Sequence, residues 1–209
     1  MKTIFITFMC ITLGALPVKS QNLKNDSIIN DIFNSKEIVK LNNILTFTDS
    51  LLLRHTKSKS AKEAYHSYFD YFIKKNNSGR LVEPTSIEKI NAQLIKLVDS
   101  IKHSNIQLFE EIWRIENGMN KKREVVSKSL AFNVKGDYFA FLKSFAKSHQ
   151  RLNYYYSEHL ELGGGISPHA SAKYISNHRH YDFKKEIARL IAAIHLITIN
   201  YEKDIKKNE

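Results

Sequence analysis

The sequence predicts an all-α protein: a single-domain bundle of about six helices around an apolar C-terminal helix, after a cleaved signal peptide. Three observations carry that prediction. From Phe183 to Tyr201 the chain is apolar almost all round, through Ile187, Ala188, Leu190, Ile191, Ala192, Ala193, Ile194, Leu196, Ile197 and Ile199. Such a helix is either a membrane span or the buried centre of a bundle. Spanning takes about 20 apolar residues, and this run is interrupted by Arg189 and His195 and followed by Glu202, Lys203 and Asp204. It reads as the centre of a bundle. Second, the apolar residues upstream recur at three- and four-residue spacing, the period of a helix and not of a strand. Third, beyond Gln21 only Pro84 and Pro168 interrupt the chain, and the glycines fall where helices would end.

Residues 1–20 read as a secretory signal peptide. Lys2 gives the basic start, Ile4 to Leu16 the apolar run, and Val18-Lys19-Ser20 the cleavage pattern before Gln21. Residues 21–34 read as a loose polar lead-in, and residues 35–209 as the helical domain. The first helix spans about Ser35 to His55, with Ile38, Leu41, Leu45, Thr48 and Leu52 on one face. Ser60 and Glu63 have capping-box spacing, in which each side chain satisfies an orphan backbone N–H of the helix start; the helix they open carries Tyr65, Phe69 and Phe72. A second such pair, Thr85 and Glu88, precedes a stripe of Ile90, Leu94, Val98 and Ile101. Leu108 to Glu116 reads as a fourth helix closed by Asn117-Gly118. Residues 119–136 admit a hairpin, a short helix or a packed loop. Asp137 is expected to cap one long helix through Tyr156, stopped by Gly163, Gly164 and Gly165. Ser167-Pro168 is a cap followed by an N1 proline and restarts a short helix, after which the central helix follows from about Asp182.

The chain of 209 residues carries a net charge of +11, or +9 without Lys2 and Lys19. Its one cysteine, Cys10, lies in the signal peptide, so the exported form has neither a disulfide nor a thiol nucleophile. The basic residues are spread along the chain and match no nucleic-acid-binding motif. They imply attraction to an anionic partner and no sequence-specific reading of nucleic acid. The apolar stretches call for no transmembrane anchor.

Polar chemistry is densest between Glu158 and Asp182. His159, His169, His178, His180 and Asp182 supply imidazole and carboxylate ligand types for a transition metal such as zinc, hence for a metal-dependent hydrolase. No H-E-x-x-H pattern accompanies them, and His178 and His180 point far apart on a helix. A single Glu63–His66 pair falls short of the two that a di-iron bundle needs. The triple glycine could present N–H groups to an anion, but neither nucleotide-binding glycine pattern is met. Nothing marks one serine as a nucleophile. Tyr154, Tyr155 and Tyr156 cannot all face inward from one helix. With Arg151, Arg179 and Tyr181, and with Gly163–Gly165 as a contact loop, they supply residue types enriched at protein interfaces. The preferred expectation is an exported, non-enzymatic binding protein without a cofactor, contacting an acidic protein or anionic envelope component, in the periplasm or outside the cell. The metal-dependent hydrolase is the alternative.

Overall fold

The computed structural model describes residues 23–77 and 87–204. The expected signal peptide, residues 1–20, and most of the expected Thr85–Glu88 cap lie outside them. Among the described residues the chain is mostly helical, with nine α-helices and one small antiparallel sheet. No helix in them is long and apolar enough to cross a membrane.

Residues 23–34, expected as a loose lead-in, are packed. A 3-10 turn (Leu23–Asn25) leads to α1 (Ser27–Ile32), capped by Asp26, and Leu23, Ile29 and Phe33 are buried. Three large apolar side chains in so short a stretch give it enough to bury. α2 (Ser35–Thr56) starts at a full capping box of Asn34 and Glu37 and buries the expected Ile38, Leu41, Leu45, Thr48 and Leu52. α3 (Ala61–Asn77) opens as expected at Ser60, whose Oγ accepts the Glu63 N–H at 3.3 Å. The Glu63 carboxylate reaches the Lys59 N–H, one residue further back than a strict box requires. α4 (Ile87–Ser104) buries Ile90, Leu94, Val98 and Ile101.

The chain is not all-α as expected, because it also carries a small antiparallel sheet. α5 (Ile106–Ile112) ends four residues early, and the chain turns into β1 (Trp113–Met119), which pairs with β2 (Val125–Phe132). The register sets Trp113 opposite Phe132 and Ile115 opposite Leu130, with an irregularity at Gly118/Met119. The hairpin turn is built by Asn120, whose side-chain oxygen accepts the N–H groups of Lys122 and Glu124. A third short strand, β3 (Glu202–Asp204), adds to the other edge of β2.

The expected long helix is two: α6 (Asp137–Ala146), capped at Gly136, and α7 (Gln150–Glu161). At the break His149 adopts an extended backbone, its ring stacked 4.4 Å from Phe145. α8 (Pro168–Ser176) begins as expected, with Ser167 Oγ accepting the Ala170 N–H. A 3-10 turn (His178–His180) connects it to α9 (Glu186–Asn200).

α9 is the centre of the fold. Residues Ile187 and Arg189 to Thr198 are all buried, packed by α2, α3, α4 and β2. Its two polar interruptions are absorbed: Arg189 pairs with buried Asp49 of α2, and His195 Nδ1 bonds the Tyr155 hydroxyl at 2.9 Å. The sheet is tied to the same helix where Trp113 Nε1 donates to Thr198 Oγ1.

Candidate functional site

Arg151, Tyr154 and Tyr155 lie one helical turn apart on α7, and Ala170, Lys173, Tyr174 and Asn177 share a face of α8 and its C-cap. Side chains three and four apart are neighbours on a helix surface. Where these two faces meet they enclose a cavity of about 310 Å³, closed by Gln150 and Tyr181. Its walls are tyrosine rings. Tyr174 lies 4.7 Å from Tyr155 and stacks on Tyr181 at 4.8 Å. Lys173 Nζ sits 3.3 Å from the centre of the Tyr154 ring, a cation held on an aromatic face. No aspartate or glutamate appears among the described lining residues, so Arg151 and Lys173 set the sign of the cavity. Burial pushes the hydroxyls of Tyr155, Tyr174 and Tyr181 up, with Arg151 pulling the last partly back. All three remain neutral hydrogen-bonding phenols at ordinary pH.

Four of the expected contact residues, Arg151, Tyr154, Tyr155 and Tyr181, therefore converge, although Tyr155 is a buried wall and not an exposed ring. The others do not join them. Tyr156 packs on Phe139 at 4.9 Å, and Arg179 is ion-paired with Asp70 of α3. The glycine loop is a structural stop. The N–H groups of Gly163, Gly164 and Gly165 donate to Leu160, His159 and Leu162, and the Gly164 carbonyl accepts the Phe132 N–H of β2. With all three N–H groups taken, no anion cradle is left. Gly163 and Gly164 have φ of 60° and 93°, conformations that favour glycine.

The five residues named for a metal are scattered. His159 is buried and bonded through Nδ1 to the Gly165 carbonyl. His169 is exposed over an apolar groove with Phe72 and Ile199. His178 is buried in a side-chain chain of its own, and His180 and Asp182 are exposed beside it. Among the described residues no group of three or more histidine, cysteine, aspartate or glutamate side chains is placed to hold a metal ion. His180 and Asp182 share one cavity with the partners of His178, while His159 and His169 lie elsewhere.

The arrangement around His178 went unread in the sequence because its partners lie on α3, more than a hundred residues away. His178 Nε2 meets Asp70 Oδ1 at 3.0 Å, and His178 Nδ1 meets His66 Nδ1 at 3.0 Å. The other Asp70 oxygen holds Arg179. His66 and Asp70 are spaced i, i+4, so both rise from one face of α3, and that spacing was the available signal. They line an open polar cavity of about 610 Å³ with Lys62, Glu63, Ser67, Arg179, His180, Tyr181 and Asp182. Burial lowers the proton affinity of both histidines. Cationic neighbours, Arg179 for both and Lys62 for His66, lower it further, while Asp70 raises it. Tyr181 is shared between this cavity and the tyrosine-walled one.

No protein-family model matches the chain, and neither a curated protein nor a solved structure matches it.

Proposed function

We propose that this is an exported single-domain helical protein that binds an acidic protein or envelope partner through the tyrosine-walled cavity between α7 and α8. One observation carries the proposal: Arg151 and Lys173 face a cavity of four tyrosines with no carboxylate among its described lining residues. A cation whose neighbours are aromatic faces and neutral phenols keeps its charge available for a visiting anion. Gln150 and Asn177 add directional hydrogen-bonding groups. The volume, about 310 Å³, suits one or two side chains rather than a large cofactor, which favours a protein partner inserting a carboxylate beside an aromatic or aliphatic group. The net charge of +9 after the leader would speed the encounter without determining its specificity. Recognition, not chemistry, is assigned to this cavity.

The test separates this site from the general basicity of the protein. A fluorescein-labelled hexaglutamate peptide is titrated into the wild type, an Arg151→Ala/Lys173→Ala variant, and a Lys121→Ala/Lys122→Ala variant that removes the same charge from the exposed hairpin turn. Loss of two charge-assisted contacts should weaken the first variant by about tenfold or more and leave the second near wild type. Equal weakening of the two variants would reduce the attraction to bulk charge and remove the cavity from the account.

A further inference from the structure

The two-histidine chain on α3 and the His178–His180 turn is independent of the tyrosine-walled cavity in its chemistry. His178 is only 2 % exposed, yet both of its ring nitrogens are engaged, one by a carboxylate and one by a second imidazole. Proton counting limits the states. A carboxylate can only accept, so His178 carries its proton on Nε2 and donates to Asp70. Its Nδ1 then offers a lone pair, and His66 donates to it from Nδ1. That places the remaining lone pair of the pair on His66 Nε2, and His66 is a half-buried lining residue of the 610 Å³ cavity. A proton arriving at Nε2 needs no rearrangement. The Nδ1 proton passes along the existing 3.0 Å bond to His178, and the imidazolium that results lies against Asp70. A positioned base that takes up a nucleophile's proton is oriented in turn by a third group; here that group is His178, itself held by the Asp70 carboxylate.

We propose that His66 is a general base in the α3 cavity, with His178 and Asp70 as positioning residues, and that the site hydrolyses carboxylic esters of uncharged or cationic molecules. The charge of the cavity selects that class, because Glu63, Asp70 and Asp182 outnumber Lys62 and Arg179 on its walls. In the reaction an O–H bond of water breaks, its proton goes to His66 Nε2, and the oxygen forms a bond to the acyl carbon. The acyl–oxygen bond then breaks, the leaving oxygen keeps the electron pair, and it recovers the proton from His66. Lys62 offers a cation for the carbonyl oxygen as negative charge develops there. Water and ester are the only reactants.

The experiment uses the exported chain, residues 21–209, with p-nitrophenyl acetate as the probe. His66→Gln should lower the rate by roughly a hundredfold, the low end for loss of a positioned base, with an unchanged melting temperature. Asp70→Asn should lower it less. Because the Asp70 charge raises the proton affinity of both histidines, its loss should also move the inflection of the pH–rate profile to lower pH. A purely structural tie between α3 and the turn would leave that inflection in place. A folded His66→Gln protein with wild-type hydrolysis, or an Asp70→Asn profile with an unmoved inflection, overturns the proposal. If a variant does not fold, the wild type alone decides. Diethyl pyrocarbonate at pH 6 should carbethoxylate His66 ahead of exposed His169, as read by mass spectrometry, and the reverse order rejects a basic His66 Nε2.

Discussion

Replacing Arg189 by methionine should be among the most damaging single changes to the fold, and its cost follows from the surroundings of the guanidinium. Arg189 Nε donates to Asp49 Oδ2 at 3.0 Å, with the two side chains 8 % and 0 % exposed. Nη1 also donates to the carbonyls of Phe183 and Lys184 at 2.8 and 3.0 Å, which pins the turn entering α9. Methionine fills much of the volume but leaves the Asp49 carboxylate buried without its counter-ion. Breaking such a pair costs roughly 3–5 kcal/mol, and each carbonyl that loses its donor adds about 1 kcal/mol. For a chain of this size 1 kcal/mol corresponds to about 2–4 °C in melting temperature, so the pair and the two carbonyls together predict a fall of at least about 10 °C. The assay is urea unfolding of the wild type, Arg189→Met, Asp49→Leu and the double variant. The double variant should recover much of the loss, since an apolar pair of similar volume is often no worse than a buried ion pair. Two results would refute the reasoning: a single variant within about 1 kcal/mol of wild type, or a double variant whose losses simply add, because the pair would then carry no coupling.

Two further predictions concern the loop after α7 and the buried histidines. Gly164→Ala forces a side chain onto φ = 93° and into the carbonyl oxygen of Phe132; strain of that kind costs roughly 1–3 kcal/mol before the strand is displaced. Gly163→Ala has open space around it at φ = 60° and should cost only about 1 kcal/mol, so equal urea midpoints for the two variants would contradict the packing of Gly164 on β2. Burial lowers the proton affinity of His159 and, more strongly, of His195. The unfolded chain then takes up protons below about pH 6.5 that the folded chain refuses. Stability is fullest above that pH and falls as the solution is acidified, by at most about 1.4 kcal/mol per group per pH unit. Urea midpoints between pH 7.5 and 5.0 should drop less steeply in His195→Leu than in wild type, and parallel slopes would count against a neutral buried His195.

The helices were legible wherever an apolar stripe met a local stop signal. The Ile90–Ile101 stripe and the Ser167-Pro168 start lie where periodicity and capping put them, and the core helix lies within Phe183–Tyr201, although α9 begins at Glu186, four residues after the expected Asp182. β1 was not legible. Its residues, Trp113-Arg-Ile-Glu-Asn-Gly-Met119, include several that strands disfavour, and what holds them extended is β2 and the Trp113–Thr198 bond rather than their own propensity. The break between α6 and α7 also has no glycine or proline to announce it. Among candidate site residues, Arg151, Tyr154 and Tyr155 were readable because they share one helix face. His66 and Asp70 were not, because nothing local links them to His178.

By itself the sequence determined the helical period, the caps at Ser60 and Ser167 and the apolar helix on which the rest packs, since each is an interaction between residues a turn or less apart. Tertiary structure decided the sheet, the burial of residues 23–34, the scattering of the expected metal ligands and the meeting of His66, Asp70 and His178. Each of these depends on groups distant in the chain, whose placement is set by how helices stack around α9 and not by any pattern a short window contains.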